Sequence, residues 1–247
     1  MAAGRPVRSF YLALGVIAIA GVALIAGQVA RRPATGSVAE TLASVPLTPV
    51  ASGGAVGHQL GSDSAPVEIA VFSDFSCPHC ANFEILDFPL VRDRLIPTGR
   101  LRWRFVDFPL EGRANSPVAH LSAACAGEQG RFWEMMGAIL NRQGEWVEDR
   151  RAERRLRGYA EGLGLDVTRF ADCMDTGRAQ AVVDAGAAEG RRLGVNATPT
   201  FFVNGRQWPD VLGYDQIRAI VDSLAPVGGA PRGAPAGAAG PSAPPRR

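Results

Sequence analysis

Two cysteines separated by two residues, Cys77-Pro78-His79-Cys80, are the residues of this chain whose types and spacing best suit chemistry. At the start of a helix the fourth residue lies about one turn beyond the first, so such a pair can close a small disulfide ring. Unpaired N–H groups and the helix dipole favour negative charge there. Cys77 is therefore expected to be the attacked sulfur, with a stabilised thiolate, and Cys80 the more buried resolving thiol. Pro78 falls where a missing N–H costs nothing. His79 can add a positive charge or a hydrogen bond to the Cys77 thiolate. Nucleophilic thiols in such motifs span pKa values of about 3.5 to about 7. That range of roughly 3.5 units is about 5 kcal/mol, or on the order of 100 mV in reduction potential. A stabilised thiolate favours the reduced protein and makes the disulfide a stronger oxidant, and Pro-His is consistent with an oxidant.

Other chemistries fit the pair less well. A zinc ribbon needs a second CxxC or histidines at ligand spacing. The other two histidines are His58, in linker-like sequence, and His120, alone on a helix and read as an ordinary helix-face residue. No metal or organic cofactor is expected. A purely structural disulfide at this spacing would close almost no loop and would restrict the unfolded chain little. A second element is Thr198-Pro199, directly before a strand, where proline is tolerated. A cis bond there would offer main-chain groups of residue 198 to an incoming peptide; spacing alone is equally compatible with a trans proline.

These residues need elements to hold them. Pro66 to Phe72 is short, apolar and β-branched, and reads as a buried strand. A helix then starts at Cys77 and runs through Ala81, Phe83, Leu86 and Leu90. Leu101 to Phe108 alternates as a second strand, completing a βαβ unit. A helical block follows, starting at Asn115 or Ser116 with Pro117 in its first turn. It continues as Phe132–Leu140, Arg151–Leu163, Asp166–Met174 and Arg178–Leu193, and Gly194 ends it. Thr200–Val203, the Asn204-Gly205 turn and Gln207-Trp208 read as a hairpin, and Tyr214–Leu224 as a closing helix.

Ahead of this domain, Phe10 to Val29 is apolar but for Gln28. Twenty such residues make about 30 Å of helix, enough to span a bilayer core. The segment is longer than a signal-peptide core and lacks an A-x-A-like end. Residues 1–31 are therefore expected to form an uncleaved transmembrane anchor, the chain from 32 to 61 a flexible tether, residues 62–224 the folded domain with a helical insertion over about 113–193, and the Pro/Ala/Gly-rich 225–247 a disordered tail. Charges flanking the apolar segment lean weakly towards the domain lying outside the cytoplasm. The net charge of only +2, with no basic run in the body of the chain, argues against nucleic acid as a partner.

Asp74-Phe75-Ser76-Cys77-Pro78-His79-Cys80, followed far downstream by Gly194-Val195-Asn196-Ala197-Thr198-Pro199-Thr200-Phe201-Phe202-Val203-Asn204-Gly205, resembles the DsbA-like branch of the thioredoxin superfamily. The stretches around Cys125 and Gln129–Glu134 look like the helical insertion of that branch. The resemblance covers most of residues 62–224. It implies an α/β thioredoxin fold with an inserted helical domain, a cis Pro199, and substrate backbone held at Thr198 and Pro199. It also implies dithiol–disulfide exchange with exported cysteine-containing proteins, and reoxidation by a quinone-linked membrane protein of the DsbB or vitamin K epoxide reductase type. Where the best-known members bury an acid beneath the resolving cysteine, this chain has Val71. Asp74 is a candidate proton acceptor, with turn-capping as its other reading.

Cys125 and Cys173 are either small buried hydrophobes or a structural disulfide. Export beside an oxidant favours the bond, and some DsbA-like enzymes carry a second one. It would close a loop of about 49 residues, worth roughly 4 kcal/mol in the chain-entropy view. Phe75, Trp103, Phe108 and Trp208 are expected mostly in the core, with Phe75 and Phe108 as alternatives for an apolar groove beside Cys77. Two other functions stay open at this level: a reductase or isomerase using the same pair in the opposite direction, and a non-catalytic metal carrier or holdase on the same fold.

Overall fold

The computed structural model describes Tyr11 and residues 56–227. The chain divides into two compact units, Met1–Val45 and Pro46–Arg247, and all that follows concerns the second. The expected anchor, most of the tether and nearly all of the tail lie outside the described residues. Among the described residues, no helix is long and apolar enough to cross a membrane.

Five strands form one sheet: β1 (His58–Leu60), β2 (Val67–Ser73), β3 (Leu101–Asp107), β4 (Thr200–Val203) and β5 (Arg206–Gln207), in the order β1-β3-β2-β4-β5. β2 and β3 pair in parallel, Val67 opposite Leu101 through to Ser73 opposite Asp107, and the other pairs are antiparallel. A parallel pair requires a crossover. Here α1 (Pro78–Leu86) and α2 (Phe88–Leu90) supply it, continued by a π-helical stretch (Val91–Leu95) and a 3-10 turn (Ile96–Thr98). Proline at the start of α2 and Asp87 between the two helices divide the single helix expected from periodicity.

Side chains alternate across β2 and β3. Ala70 and Phe72 pack with Val106, Phe108, Val195 and Phe202 on one face. On the other, the Phe83 ring of α1 stacks on Trp103 at 5.6 Å and meets Phe201 at 5.1 Å. Phe75 and Trp103 are fully buried, and Phe108 and Trp208 nearly so, so all four belong to the core rather than to an open groove.

The inserted block runs from α3 (Ser116–Gly127) through α4 (Phe132–Asn141), α5 (Gln143–Trp146), α6 (Ala152–Gly162) and α7 (Val167–Thr176) to α8 (Gln180–Arg192). A disulfide joins Cys125 on α3 to Cys173 on α7. α8 lies close against β3: a side chain at Gly186 would sit 2.6 Å from the Asp107 carbonyl oxygen. α9 (Tyr214–Leu224) closes the domain.

The tether ends earlier than 61. His58–Leu60 pairs with β3, His58 opposite Phe105 and Leu60 opposite Trp103. Three residues are too few to show alternation, so the strand is created by the free edge of β3 rather than by local propensity. Gly57 fixes the approach, since a β-carbon there would lie 2.3 Å from the Phe105 carbonyl oxygen.

Candidate active site

β2 ends at Ser73, and Asp74-Phe75-Ser76 turns the chain into α1. Cys77 is the N-cap of that helix, in extended conformation, and Pro78 occupies its first turn. The Cys77 amide donates to the Asp74 carbonyl at 3.0 Å, which closes the turn. Cys77 and Cys80 are free thiols, 5% and 0% exposed. Pro78 and His79 between them are exposed.

The two sulfurs are electrostatically unequal. The Cys80 thiol donating to Cys77 is the largest influence holding the Cys77 pKa down, to about 5. Burial works against this; the Thr198 hydroxyl and the backbone N–H groups of Cys80 and His79 add to it. Cys80 is pushed far above the ordinary thiol range, first by burial and then by the neighbouring Cys77 sulfur, with Ser73 and the Asp74 backbone opposing weakly. Of the two, Cys77 at the helix start is the thiol whose ionised form its surroundings favour. His79 contributes its main chain, while its side chain stands on the surface.

Thr198-Pro199 is cis and precedes β4. The Thr198 carbonyl accepts a hydrogen bond from the Cys77 thiol at 3.3 Å, which brings the cis peptide against Cys77. Gln143, at the start of α5, donates from Nε2 to the carbonyls of Phe75 at 2.7 Å and Cys77 at 3.1 Å. The inserted block thereby grips the turn that carries Cys77. Nothing in the local sequence around Gln143 marks it for this role.

Asp74 is completely buried beneath the turn. One carboxylate oxygen accepts from the Ser76 amide at 2.6 Å and the Ser116 hydroxyl at 2.8 Å; the other accepts from the Leu110 amide at 2.6 Å. Its pKa is lowered: burial opposes ionisation, but hydrogen bonding and charge from His120 outweigh it. With both oxygens engaged and its charged form stabilised, Asp74 caps the turn and is poorly suited to accept a proton from Cys80.

His120 is not an ordinary helix-face residue. It is wholly buried, with Nδ1 2.6 Å from Asp107 Oδ1 and Nε2 3.8 Å from Asp74. Burial disfavours its charged form, yet the hydrogen bond to Asp107 and the nearby Asp74 carboxylate prevail and raise its pKa. Asp107 is held at about 2 against its own burial, by His120 first and then by His58. His58 Nε2 lies 3.4 Å from Asp107 Oδ2, and its ring stacks on Phe132. A row of His58, Asp107, His120 and Asp74 therefore runs from the β1 edge to the turn before Cys77. Among the described residues, no group of acids, histidines and cysteines could hold a metal ion.

Comparison with known proteins agrees with this geometry. A family model described as thioredoxin (Thioredoxin_4) matches residues 55–223. A probable disulfide bond formation protein D of Bacillus anthracis is 27% identical over 172 residues, covering 67% of this chain and 76% of that protein. A Na(+)/H(+) antiporter NhaA 1 of Salinispora arenicola is 38% identical over 168 residues, covering 67% of this chain and 24% of the antiporter. This chain spans about a quarter of that longer relative, whose name describes the longer protein. Among solved structures, oxidised BdbD of Bacillus subtilis aligns with a TM-score of 0.60 at 23% identity, over 66% of this chain and 90% of that one. Chlamydia trachomatis DsbA aligns with a TM-score of 0.60 at 20% identity, over 72% and 96%. At these identities the structural likeness is one of fold. The model match over more than half of the chain places the chain in the thioredoxin family, and its paired thiols stand at the start of α1.

Proposed function

We propose that this protein is a dithiol oxidase that introduces disulfides into exported cysteine-containing proteins through Cys77 and Cys80. The observation that carries the direction is the inequality of the two thiols. Cys77 is held near 5, so at neutral pH the reduced enzyme keeps a stable thiolate and its disulfide accepts electrons readily. A substrate thiolate attacks the Cys77 sulfur of the oxidised enzyme, and Cys80 leaves. The substrate's second thiol then displaces Cys77, which releases oxidised substrate and reduced enzyme. Thr198 and Pro199, beside the Cys77 sulfur, hold the substrate backbone during the exchange.

The proposal includes a place and a partner. The apolar segment Phe10 to Val29 anchors the chain in the cell membrane as a single pass, with the domain on the periplasmic or extracytoplasmic side. A quinone-linked membrane protein of the DsbB or vitamin K epoxide reductase type returns the pair to the disulfide. The chemistry needs no metal or organic cofactor in this chain.

Equilibration against glutathione buffers tests the direction. The Cys77–Cys80 couple is expected nearer about −120 mV than about −270 mV, the values of a strong oxidant and of thioredoxin. A potential near the lower value would sink the oxidase reading and favour a reductase. Protease digestion of intact cells tests the place, since an extracytoplasmic domain is cut from outside and a cytoplasmic one is not.

A further inference from the structure

His120 lies beneath the turn that carries Cys77, and disulfide exchange by itself gives it no part. Its side chain is wholly buried on α3. Nδ1 lies 2.6 Å from Oδ1 of Asp107, the last residue of β3. Nε2 has no hydrogen-bond partner and lies 3.8 Å from Asp74 Oδ1. Both acids are held in their ionised form, and an ionised carboxylate only accepts. A neutral ring would turn an unprotonated nitrogen towards one of them, whereas a protonated ring serves both. These two acids are the charged groups that face the ring, and His58 stands beyond Asp107.

The ring also touches the turn itself. It meets Phe75 edge to face, with ring centroids 4.7 Å apart. Asp74 borders both thiols through its main chain. Its carbonyl accepts from the Cys77 amide at 3.0 Å, and its N–H opposes the rise of the Cys80 pKa. His79, the histidine inside the motif, is exposed, and water screens any charge it carries. A charge sealed beneath the turn is screened much less.

We propose that His120 is a positioning residue for the redox pair: it holds Asp74 and Phe75 from below and sets how readily the Cys77–Cys80 disulfide is reduced. The proposal rests on thiol–disulfide exchange at that pair and holds for either direction of flux. Two glutathione thiols supply the two electrons of reduction and become glutathione disulfide. The Cys77–Cys80 bond breaks, Cys80 keeps one proton as a thiol, Cys77 becomes a thiolate and the second proton goes to solvent. The positive ring stabilises this negative product more than the uncharged disulfide. Without its charge, Asp74 and Asp107 remain, and their negative charge opposes a thiolate at the turn.

Equilibration of the full chain with glutathione buffers at pH 7 tests this. His120→Gln keeps a polar side chain and removes the charge. The equilibrium constant for reduction should fall about tenfold, about 30 mV for a two-electron couple, and the Cys77 pKa should rise. A side chain that served the fold alone would destabilise both redox forms equally, so an unchanged potential overturns the proposal, whatever happens to the melting temperature. If the wild type shows no redox transition, the exchange reading falls and the proposal with it. A wild-type potential near that of thioredoxin sinks the oxidase reading alone, and the variant must still lie below it. Should His120→Gln not fold, nitrogen-15 NMR of labelled histidine in the wild type decides. A ring that favours the thiolate is itself favoured by the thiolate. The His120 titration midpoint must therefore be higher in the reduced than in the oxidised protein, and the same midpoint in both overturns the proposal.

Discussion

The Cys77 thiol donates to the Thr198 carbonyl at 3.3 Å, across 121 positions of sequence. The same residue's hydroxyl helps to hold the Cys77 pKa down. The carbonyl is main chain and survives any substitution, whereas the hydroxyl does not. Thr198→Val should therefore raise the Cys77 pKa by about one unit, the equivalent of a hydrogen bond to a charged group. Thiolate absorbance followed against pH measures this, and an unmoved pKa would remove the hydroxyl from the account.

A thiol whose folded pKa is depressed stabilises the fold above its unfolded pKa, and that contribution is lost as pH falls through the folded value. For Cys77 the window extends from about 9 down to about 5. The oxidised protein has no thiolate and lacks this contribution. The melting temperature of the reduced protein should thus drop relative to the oxidised one on acidification from pH 7 to below 5. A constant difference between the two forms would contradict a low Cys77 pKa.

Gln143 is the only side chain of α5 seen to donate to the turn before α1, through the Phe75 and Cys77 carbonyls. Gln143→Ala leaves the Phe75 acceptor without that donor in a part-buried site, and a cost of about 1–3 kcal/mol is expected in denaturant unfolding. The reduction potential should shift as well, because the turn positions the Cys77 sulfur. Lost stability with an unchanged potential would show that Gln143 is a brace alone.

His120→Leu would strand Asp74 and Asp107 as buried charges without their cation. Breaking such a buried arrangement costs about 3–5 kcal/mol. The direction with pH follows from the shifts. His120 is raised, so its contribution is present at low pH and lost as pH rises through its folded value; the aspartates are lowered, and theirs fades only as pH falls towards about 2 for Asp107. In the variant the aspartates lose that support and bind protons more readily. Its stability deficit, read by urea unfolding, should be largest near neutral pH and shrink towards pH 4.

The bond between Cys125 and Cys173 spans a sequence separation of 48. Replacing both by alanine should lower stability by roughly 4 kcal/mol in the chain-entropy view, while the Cys77 pKa stays as it was. Thiol counting on Cys77→Ala, Cys80→Ala provides the complementary check: two free thiols under non-reducing denaturation would refute the bond in solution.

What the sequence determined by itself was whatever depends on near neighbours in the chain. The CPHC spacing, Pro78 in the first turn of α1, the helices of the insertion, the Asn204-Gly205 turn and the proline before β4 all follow from short-range geometry, and each is legible within about ten residues. The resemblance added the conformation of Pro199; the meeting of Thr198 with Cys77 is seen only in the fold. The tertiary structure alone decided what fills the space beneath the thiols. His120 looked solitary because its partners Asp74 and Asp107 end the loop and strand of other elements. β1 looked like tether because its pattern is supplied by β3. Nothing in the local sequence marks Gln143 as a donor to the turn before α1, since no local period says which face of a helix is sealed. A buried polar group takes its meaning from the groups that surround it, and those groups come from distant parts of the chain. The fold sets Cys77 at the start of α1 and engages both carboxylate oxygens of Asp74 in the turn before it.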